Sequence, residues 1–261
     1  MYVGADSDRL QPPFHARYRP GHGGHDVGAR GAISKEKNIN LSVALQFGKY
    51  VERNMPDVRV IYTRKTDVFI PLKQRANIAN RANADLFISV HTNALPAGKI
   101  ARGFETYTLG MHRAKDNLDV AMRENSVISM EKGYQHTYQG FDPRSSESYI
   151  IFEFIQGKNM ERSVELARNI QRKVCSGANR PDKGVHQAGF LVLRETSMPS
   201  CLIELGFITT ADEERLLNDA SRWMISPEAS TKVLRNIAIN TINPSRFLIE
   251  LRIQNRCRLP R

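Results

Sequence analysis

The short run Leu86–Val90 places the strongest limit on the fold, because almost all of its residues are apolar. A strand of this kind fits a sheet that is covered on both faces. Four further strands are predicted over Val58–Thr63, Gly103–Leu109, Phe190–Arg194 and Ser200–Leu205. Helical patterns alternate with them, so we expect an α/β fold with a mostly parallel twisted sheet of about six strands flanked by helices.

The helices are predicted from apolar residues that recur at helical spacing. A separate pattern, strict alternation over Phe14–Arg19, predicts one more strand with a face in water. The predicted helices are Glu36–Arg53, a helix from Pro71 to about Asn83, Met160–Val174, a helix capped by Thr210, and a last one over about Pro227–Ile242.

The chain divides into four parts by composition. Residues 1–13 are polar and are predicted to be disordered, and residues 14–243 are predicted to form one domain. Within that domain, residues 111–158 form a long polar insertion, and residues 244–261 form a basic tail. No apolar run approaches the length of a membrane helix, so no membrane span is expected. The first residues also lack the pattern of a signal peptide, which favours a cytoplasmic or truncated product.

The charge balance and the cysteines exclude several kinds of protein. A net charge of +11 favours anionic partners such as a cell-wall polymer, an anionic lipid or nucleic acid. Aromatic residues do not alternate with basic ones on any face, so nucleic acid is not expected as a partner. The three cysteines are far apart and contain no Cys-x-x-Cys pair, which argues against a thiolate zinc site and a disulfide framework.

The segment Pro20–Ala29 combines four glycines with His22, His25 and Asp26. Glycine permits close backbone approach to a ligand, and histidine is the commonest metal ligand. The segment therefore indicates a rigid site loop, while a turn with two solvated histidines remains the alternative. His25 and Asp26 are expected to shape the loop rather than bind a ligand.

Four polar residues are predicted to meet at one edge of the sheet, because sites in α/β sheets lie beyond the carboxyl ends of strands. His91 follows Leu86–Val90, Glu204 lies near the end of its strand, His22 follows the first strand, and Glu36 opens the next helix. Two histidines and one carboxylate form a catalytic zinc set, and a second carboxylate can act as general base. Each residue has a structural alternative: a hydrogen-bonded histidine, a helix-start acid or a salt-bridged carboxylate.

A series of motifs gives these residues a specific context. The order of these motifs strongly resembles that of the zinc-dependent N-acetylmuramoyl-L-alanine amidases, the amidase-3 family, over about residues 21–242. The motifs are Pro-Gly-His-Gly-Gly-His-Asp-Val-Gly-Ala, Glu-Lys-Asn-Ile-Asn-Leu, Thr-Arg-Lys-Thr-Asp, Arg-Ala-Asn, Ala-Asp-Leu-Phe-Ile-Ser-Val-His-Thr-Asn, Gly-Phe-Glu-Thr-Tyr and Ile-Glu-Leu-Gly-Phe.

The resemblance implies an activity and a role for each motif residue. It implies cleavage of the amide between N-acetylmuramic acid and L-alanine in peptidoglycan, with one Zn²⁺ bound by His22, Glu36 and His91 and with Glu204 as the catalytic residue. It also implies a periplasmic or cell-envelope location. The entry strand departs from the family pattern, because Arg19 stands where the family usually has an acid.

The insertion over residues 111–158 resembles that of the longer, division-associated members of the family. In those relatives a helix covers the active site until an activator with a LytM-like domain displaces it. The resemblance implies an autoinhibitory carboxylate in this region, with Glu124 and Glu131 as candidates to reach the metal, and solvated helix glutamates as the alternative for each.

Three other functions are weighed against the amidase. A non-catalytic cell-wall-binding relative would keep the fold and the zinc, but would not need Glu204. A zinc peptidase acting on cell-wall peptides would differ in its products, and a nucleic-acid binder would show salt-sensitive binding to DNA.

Overall fold

The structure, a computed structural model, describes residues 14–112, 114–153 and 159–219. Its strands are β1 (Phe14–Pro20), β2 (Val58–Tyr62), β3 (Leu86–Asn93), β4 (Phe104–Leu109), β5 (Asp182–Ala188) and β6 (Ser200–Phe207). Its α-helices are α1 (Glu36–Asn54), α2 (Leu72–Arg81), α3 (Lys115–Asn125), α4 (Tyr134–Thr137), α5 (Met160–Gly177), α6 (Leu191–Arg194) and α7 (Ala211–Asn218). Two 3₁₀ segments, Ser126–Met130 and Ser146–Glu153, lie within the insertion.

The strands form a six-stranded sheet in the order β2-β1-β3-β6-β4-β5. Parallel pairing joins β1 to β2 and β3, β3 to β6, and β4 to β5. The contact between β4 and β6 is antiparallel, with Glu105 opposite Glu204. The sheet is therefore mixed, and the prediction of a mostly parallel sheet is wrong. The reversal brings the amino ends of β4 and β5 to the edge where β1, β3 and β6 end.

Two hydrophobic layers cover the sheet, as the apolar run of β3 predicts. Leu86, Ile88 and Val90 face one layer, which includes buried residues of α1 and α5. Phe87 faces the other layer, which α2, α3 and the rest of the insertion complete. All eight residues of β3 are buried, because the strand lies inside the sheet and is covered on both faces.

Three local predictions are corrected by the structure. β1 is an interior strand, and Ala16 and Tyr18 on one face and Arg19 on the other are buried, which contradicts the prediction of a face in water. The segment over Phe190–Arg194 is the helix α6 and not a strand, since a short apolar run does not distinguish the two. Strand β5 went unpredicted, because its sequence Asp-Lys-Gly-Val-His-Gln-Ala is half-buried and mostly polar.

Other boundaries follow the sequence signals. Pro71 precedes α2, and Thr210 occupies the N-cap position of α7, whose first turn carries Asp212, Glu213 and Glu214. The Thr210 side chain makes no capping hydrogen bond. Among the residues the structure describes, none of the helices has the length and apolar character that a membrane crossing requires. The predictions for residues 1–13, for Pro227–Ile242 and for residues 244–261 lie outside the described residues.

Candidate metal centre at the carboxyl edge of the sheet

Four buried side chains bring nitrogen and oxygen atoms within 4.8 Å of one another: His22, Glu36, His91 and Glu124. His22 belongs to the glycine loop after β1, and Glu36 is the first residue of α1. His91 lies near the end of β3, and Glu124 comes from α3 in the insertion. The structure thus brings together the three sequence-predicted metal ligands and one of the two candidate inhibitory glutamates.

The spacing of these atoms fits a shared cation. His22 Nε2 lies 3.1 Å from Glu36 Oε1 and 3.2 Å from Glu124 Oε2. His91 Nδ1 lies 3.1 Å and 2.8 Å from the same two oxygens. Despite this proximity, neither His22 Nε2 nor Glu124 Oε2 has a hydrogen-bond partner among the described residues. Two imidazole nitrogens and two carboxylate oxygens form a donor set suited to zinc.

The electrostatics of the cluster also favour a positive charge. Burial alone would lower the pKa of His22, but the carboxylates of Glu36 and Glu124 raise it well above its ordinary value. Burial likewise opposes ionisation of Glu124, yet His91 and His22 bring its pKa well below the usual range. Burial also opposes ionisation of Glu36, yet His22 lowers its pKa. The two carboxylates therefore favour positive charge beside them.

The glycine loop shapes one side of this cluster. Asp26 Oδ2 lies 2.8 Å from His22 Nδ1, which fixes the ring and directs Nε2 toward Glu36. This is the loop-shaping role expected of Asp26. Two positions of the loop require glycine, because the backbone there passes close to site residues. A Cβ on Gly21 would lie 2.5 Å from the His91 ring, and one on Gly28 would lie 2.6 Å from Glu36 Oε2.

Three hydrogen bonds from donors outside the metal cluster hold Glu36 in place. The backbone N–H of Ala29 donates to Oε2 at 2.8 Å, and the N–H of Thr92 donates to Oε1 at 3.0 Å. The Asn40 side chain also donates to Oε1 at 3.0 Å, from one turn further along α1. Helical spacing puts residues i and i+4 on one face, so the Glu-Lys-Asn-Ile-Asn motif contains the signal that could have predicted this partner.

Buried arginines hold the backbone of the loop, a role that sequence reasoning missed. Arg75 donates to the carbonyls of Pro20 at 2.8 Å and His22 at 2.7 Å. Arg64 donates to the carbonyl of Gly21 at 2.8 Å. Three consecutive carbonyls are therefore fixed by guanidinium groups, and His22 keeps a backbone φ of 56° in the left-handed region. The sequence signal was present in the Thr-Arg-Lys-Thr-Asp and Arg-Ala-Asn motifs.

Arg19, the residue of β1 that departs from the family pattern, forms no ion pair within the described residues. Its side chain is buried and donates to Ser89 Oγ at 2.8 Å, while its Nε has no partner among the described residues. Burial lowers the pKa of Arg19 to about 10, and nearby Glu124 and Asp26 act in the opposite direction. The guanidinium therefore remains charged near neutral pH.

Glu204 lies beside the cluster on β6, opposite His91 in the pairing with β3. It is fully buried, and neither carboxylate oxygen has a hydrogen-bond partner within the described residues. Burial, followed by the charge of Glu124, raises its pKa well above the ordinary value, while Arg123 lowers it. A carboxyl group in this state is suited to proton transfer.

Of two further charged residues of the insertion, Arg123 lies at the edge of the sheet beside the metal cluster and Glu131 does not. Arg123 donates to the Ala94 carbonyl at 3.0 Å and to Asn93 Oδ1 at 2.9 Å, and it lies 4.0 Å from Glu204. Glu131 stays outside the cluster and accepts hydrogen bonds from the Leu72 amide and the Tyr138 hydroxyl. Of the two candidate glutamates, Glu124 alone reaches the predicted metal ligands.

Comparison with known proteins identifies relatives of the chain. The chain is 34% identical to the N-acetylmuramoyl-L-alanine amidase AmiA of Escherichia coli K12, over 77% of this chain and 68% of that protein. It is 29% identical to AmiC of Escherichia coli O6:H1, of which it spans 47%, again over 77% of this chain.

A solved structure also shares the fold. The N-acetylmuramoyl-L-alanine amidase from Clostridium difficile 630 superposes with a TM-score of 0.63 at 27% identity, over 87% of this chain and 97% of that one. The Amidase_3 family, described as N-acetylmuramoyl-L-alanine amidase, matches residues 19–231. The match covers most of the chain, which therefore belongs to the Amidase_3 family of N-acetylmuramoyl-L-alanine amidases.

Proposed function

We propose that the chain is a zinc-dependent hydrolase that cleaves the amide between N-acetylmuramic acid and L-alanine in peptidoglycan. The observation that carries this proposal is the buried set of His22, Glu36 and His91 beside the Glu204 carboxyl group, which has no hydrogen-bond partner among the described residues. Zinc held by the three residues would supply a Lewis acid for the amide carbonyl and would lower the pKa of a water molecule. A cell-envelope location follows from the substrate.

Each protein side chain then has a defined task. Asp26 keeps His22 in the orientation that presents Nε2, and Asn40 and the Thr92 amide keep Glu36 in position. Glu204 accepts a proton from the attacking water and returns it to the departing nitrogen of L-alanine. Its two carboxylate oxygens have no hydrogen-bond partner among the described residues, which leaves them available for this proton transfer.

We further propose that the insertion, residues 111–158, inhibits the enzyme through α3. Glu124 would occupy the position that water and substrate need, because its Oε2 lies 3.2 Å from His22 and 2.8 Å from His91. The same helix covers Glu204 with Arg123. Activation then requires α3 to leave the site, which is the task we assign to an activator with a LytM-like domain and which suits a role in cell separation.

Two variants test the catalytic assignment on purified sacculi. Glu204→Gln is expected to keep the zinc and the fold while losing turnover by about 10²- to 10⁴-fold, the usual loss for an acid–base group. His91→Ala is expected to lose zinc as well as turnover. Full zinc content in His91→Ala, or near-parental turnover in Glu204→Gln, would contradict the assignment.

Product analysis separates the amidase from its rivals. An amidase releases peptides that begin with L-alanine and leaves the glycan strands intact. A zinc peptidase would instead cleave within the peptide, and a binding protein would release nothing.

A further inference from the structure

A cavity of about 880 Å³ lies at the same edge of the sheet as the metal cluster, with α3 as one wall. Residues 93–101, β4 and β5 form most of the remaining lining, which does not depend on α3. Its lining includes Asn93 and Arg123, which border the cluster, and it extends to His186 on β5. Polar side chains form part of its wall: Glu105, which pairs with the amide of Asn93, and His186, whose Nε2 lies 3.9 Å from Glu105 Oε2. None of these contacts takes part in holding the proposed zinc.

The direction of β4 and β5 fixes where this cavity lies relative to Glu204. Both strands enter the sheet at the catalytic edge, so Glu105 and Lys183 lie at their starts. β4 separates β6 from β5, and neighbouring strands lie about 4.8 Å apart. The cavity therefore extends about 10 Å sideways from the strand that carries Glu204.

This length matches a short peptide. An extended chain covers about 3.3 to 3.6 Å per residue. If the scissile amide lies at the metal and Glu204, the second and third residues of an attached extended peptide fall within the cavity. The cavity can thus hold the part of the substrate that leaves with L-alanine.

The charges at the cavity mouth indicate an anionic ligand. Lys99 and Lys183 are exposed, and neither makes an ion pair in the described part of the chain. The acids Asp116 and Asp119 also line the cavity, but both belong to α3. Departure of α3 would open the cavity on that side and remove these two acids together with Arg123. Lys99 and Lys183 would then face Glu105, which is already paired with the Asn93 amide. Neutral sugar rings would gain nothing from them, whereas the free carboxylates of a stem peptide would.

We propose that this cavity binds the stem peptide of the substrate and that Lys99 and Lys183 recognise a carboxylate on its second or third residue. This inference rests on the proposed amidase function and adds a specificity site to it. The lysines act on binding, so they affect KM, while kcat depends on the metal and Glu204. Since both lysines are exposed, each contributes about threefold, and the effect weakens as salt screens the charges.

The test compares two soluble substrates with the full chain. Both are muramoyl tripeptides, one with a free carboxylate on its second and third residues and one with these groups amidated. The parent is expected to prefer the free acid by about tenfold in kcat/KM at low salt, through KM. Lys99→Gln with Lys183→Gln is expected to abolish the preference, and Lys183→Glu to weaken binding of the acid further. Lys132→Glu, exposed and outside the cavity, is the matched control and should leave the preference unchanged.

The outcomes separate this inference from the proposed function. Failure to cleave either substrate, in the parent and in the Glu124→Ala variant alike, overturns the proposed function and this inference with it. A parent that cleaves both substrates equally well, or whose preference survives the double lysine variant, overturns the specificity site alone.

Discussion

Replacing Arg75 by methionine should destabilise the fold and weaken metal binding together. The guanidinium is 1% exposed and donates to the carbonyls of Ile70, Pro20 and His22 at 2.7, 2.8 and 2.7 Å. Burial, followed by Arg19 and Arg64, lowers its pKa, so part of the gain from hydrogen bonding is already offset. Methionine fills much of the space but leaves three carbonyls, two of them buried, without these donors.

The magnitude follows from the three hydrogen bonds. A hydrogen bond to a charged group contributes about 1.5 to 3 kcal/mol, and the buried charge favours the lower end of this range. The free energy of unfolding should therefore fall by about 4 kcal/mol, which lowers Tm by about 10 °C in a chain of this size. Removing a residue that positions a metal ligand reduces the affinity for the metal by about 10- to 100-fold. Arg75 positions the backbone of His22, so the affinity for zinc should fall by this factor.

Two measurements and two control variants test the prediction for Arg75→Met. Denaturant unfolding gives the stability, and competition with a chelator gives the zinc affinity. Arg81→Met, an exposed arginine on the same helix, should match the parent in both. Arg75→Lys, which keeps the charge but not the three-way geometry, should fall between parent and Arg75→Met. The reasoning fails if Arg75→Met stays within about 1 kcal/mol of the parent and binds zinc equally well.

Two further changes test other parts of the structure. Glu124→Ala should raise activity on sacculi severalfold. The control Glu165→Ala, which removes an exposed acid on α5, should leave the activity unchanged. Equal activity in the two variants would contradict inhibition by α3. Glu214→Gln should destabilise the protein mainly above pH 5, because the side chain accepts bonds from the amides of residues 32–34 and the Ser34 hydroxyl. Burial raises the pKa of Glu214, but these bonds lower it below 4.5, so its stabilisation is present above that pH and is lost as pH falls. Unfolding measured from pH 7 to pH 3 should show the two proteins converging, and a constant difference would contradict the role.

The convergence of His22, Glu36, His91 and Glu204 could be predicted, because each follows a recognisable strand end or helix start. The antiparallel direction of β4 could not be predicted, because the residues of a strand do not show whether its neighbour in the sheet is parallel or antiparallel. β5 escaped prediction because burial on it is partial, so its polar residues give no alternation.

The insertion shows a further limit of sequence reasoning. Glu124 and Glu131 look alike in the sequence. The structure distinguishes them, because Glu124 lies against His22 and His91 while Glu131 accepts hydrogen bonds from Leu72 and Tyr138. Arg75 and Arg64 were visible only as parts of motifs, because their partners are backbone carbonyls that any residue supplies.

The reversed direction of β4 also has an evolutionary consequence. The proposed ligands and the general base come from β1, α1, β3 and β6, whereas the proposed peptide-binding wall comes largely from residues 94–101, β4 and β5. Two stretches of chain with separate duties can diverge separately, since a change at Lys99 or Lys183 leaves the residues around the metal centre untouched. A lineage could thereby adapt to a new wall chemistry through changes in two short stretches, residues 94–109 and 182–188, that leave the metal centre as it is.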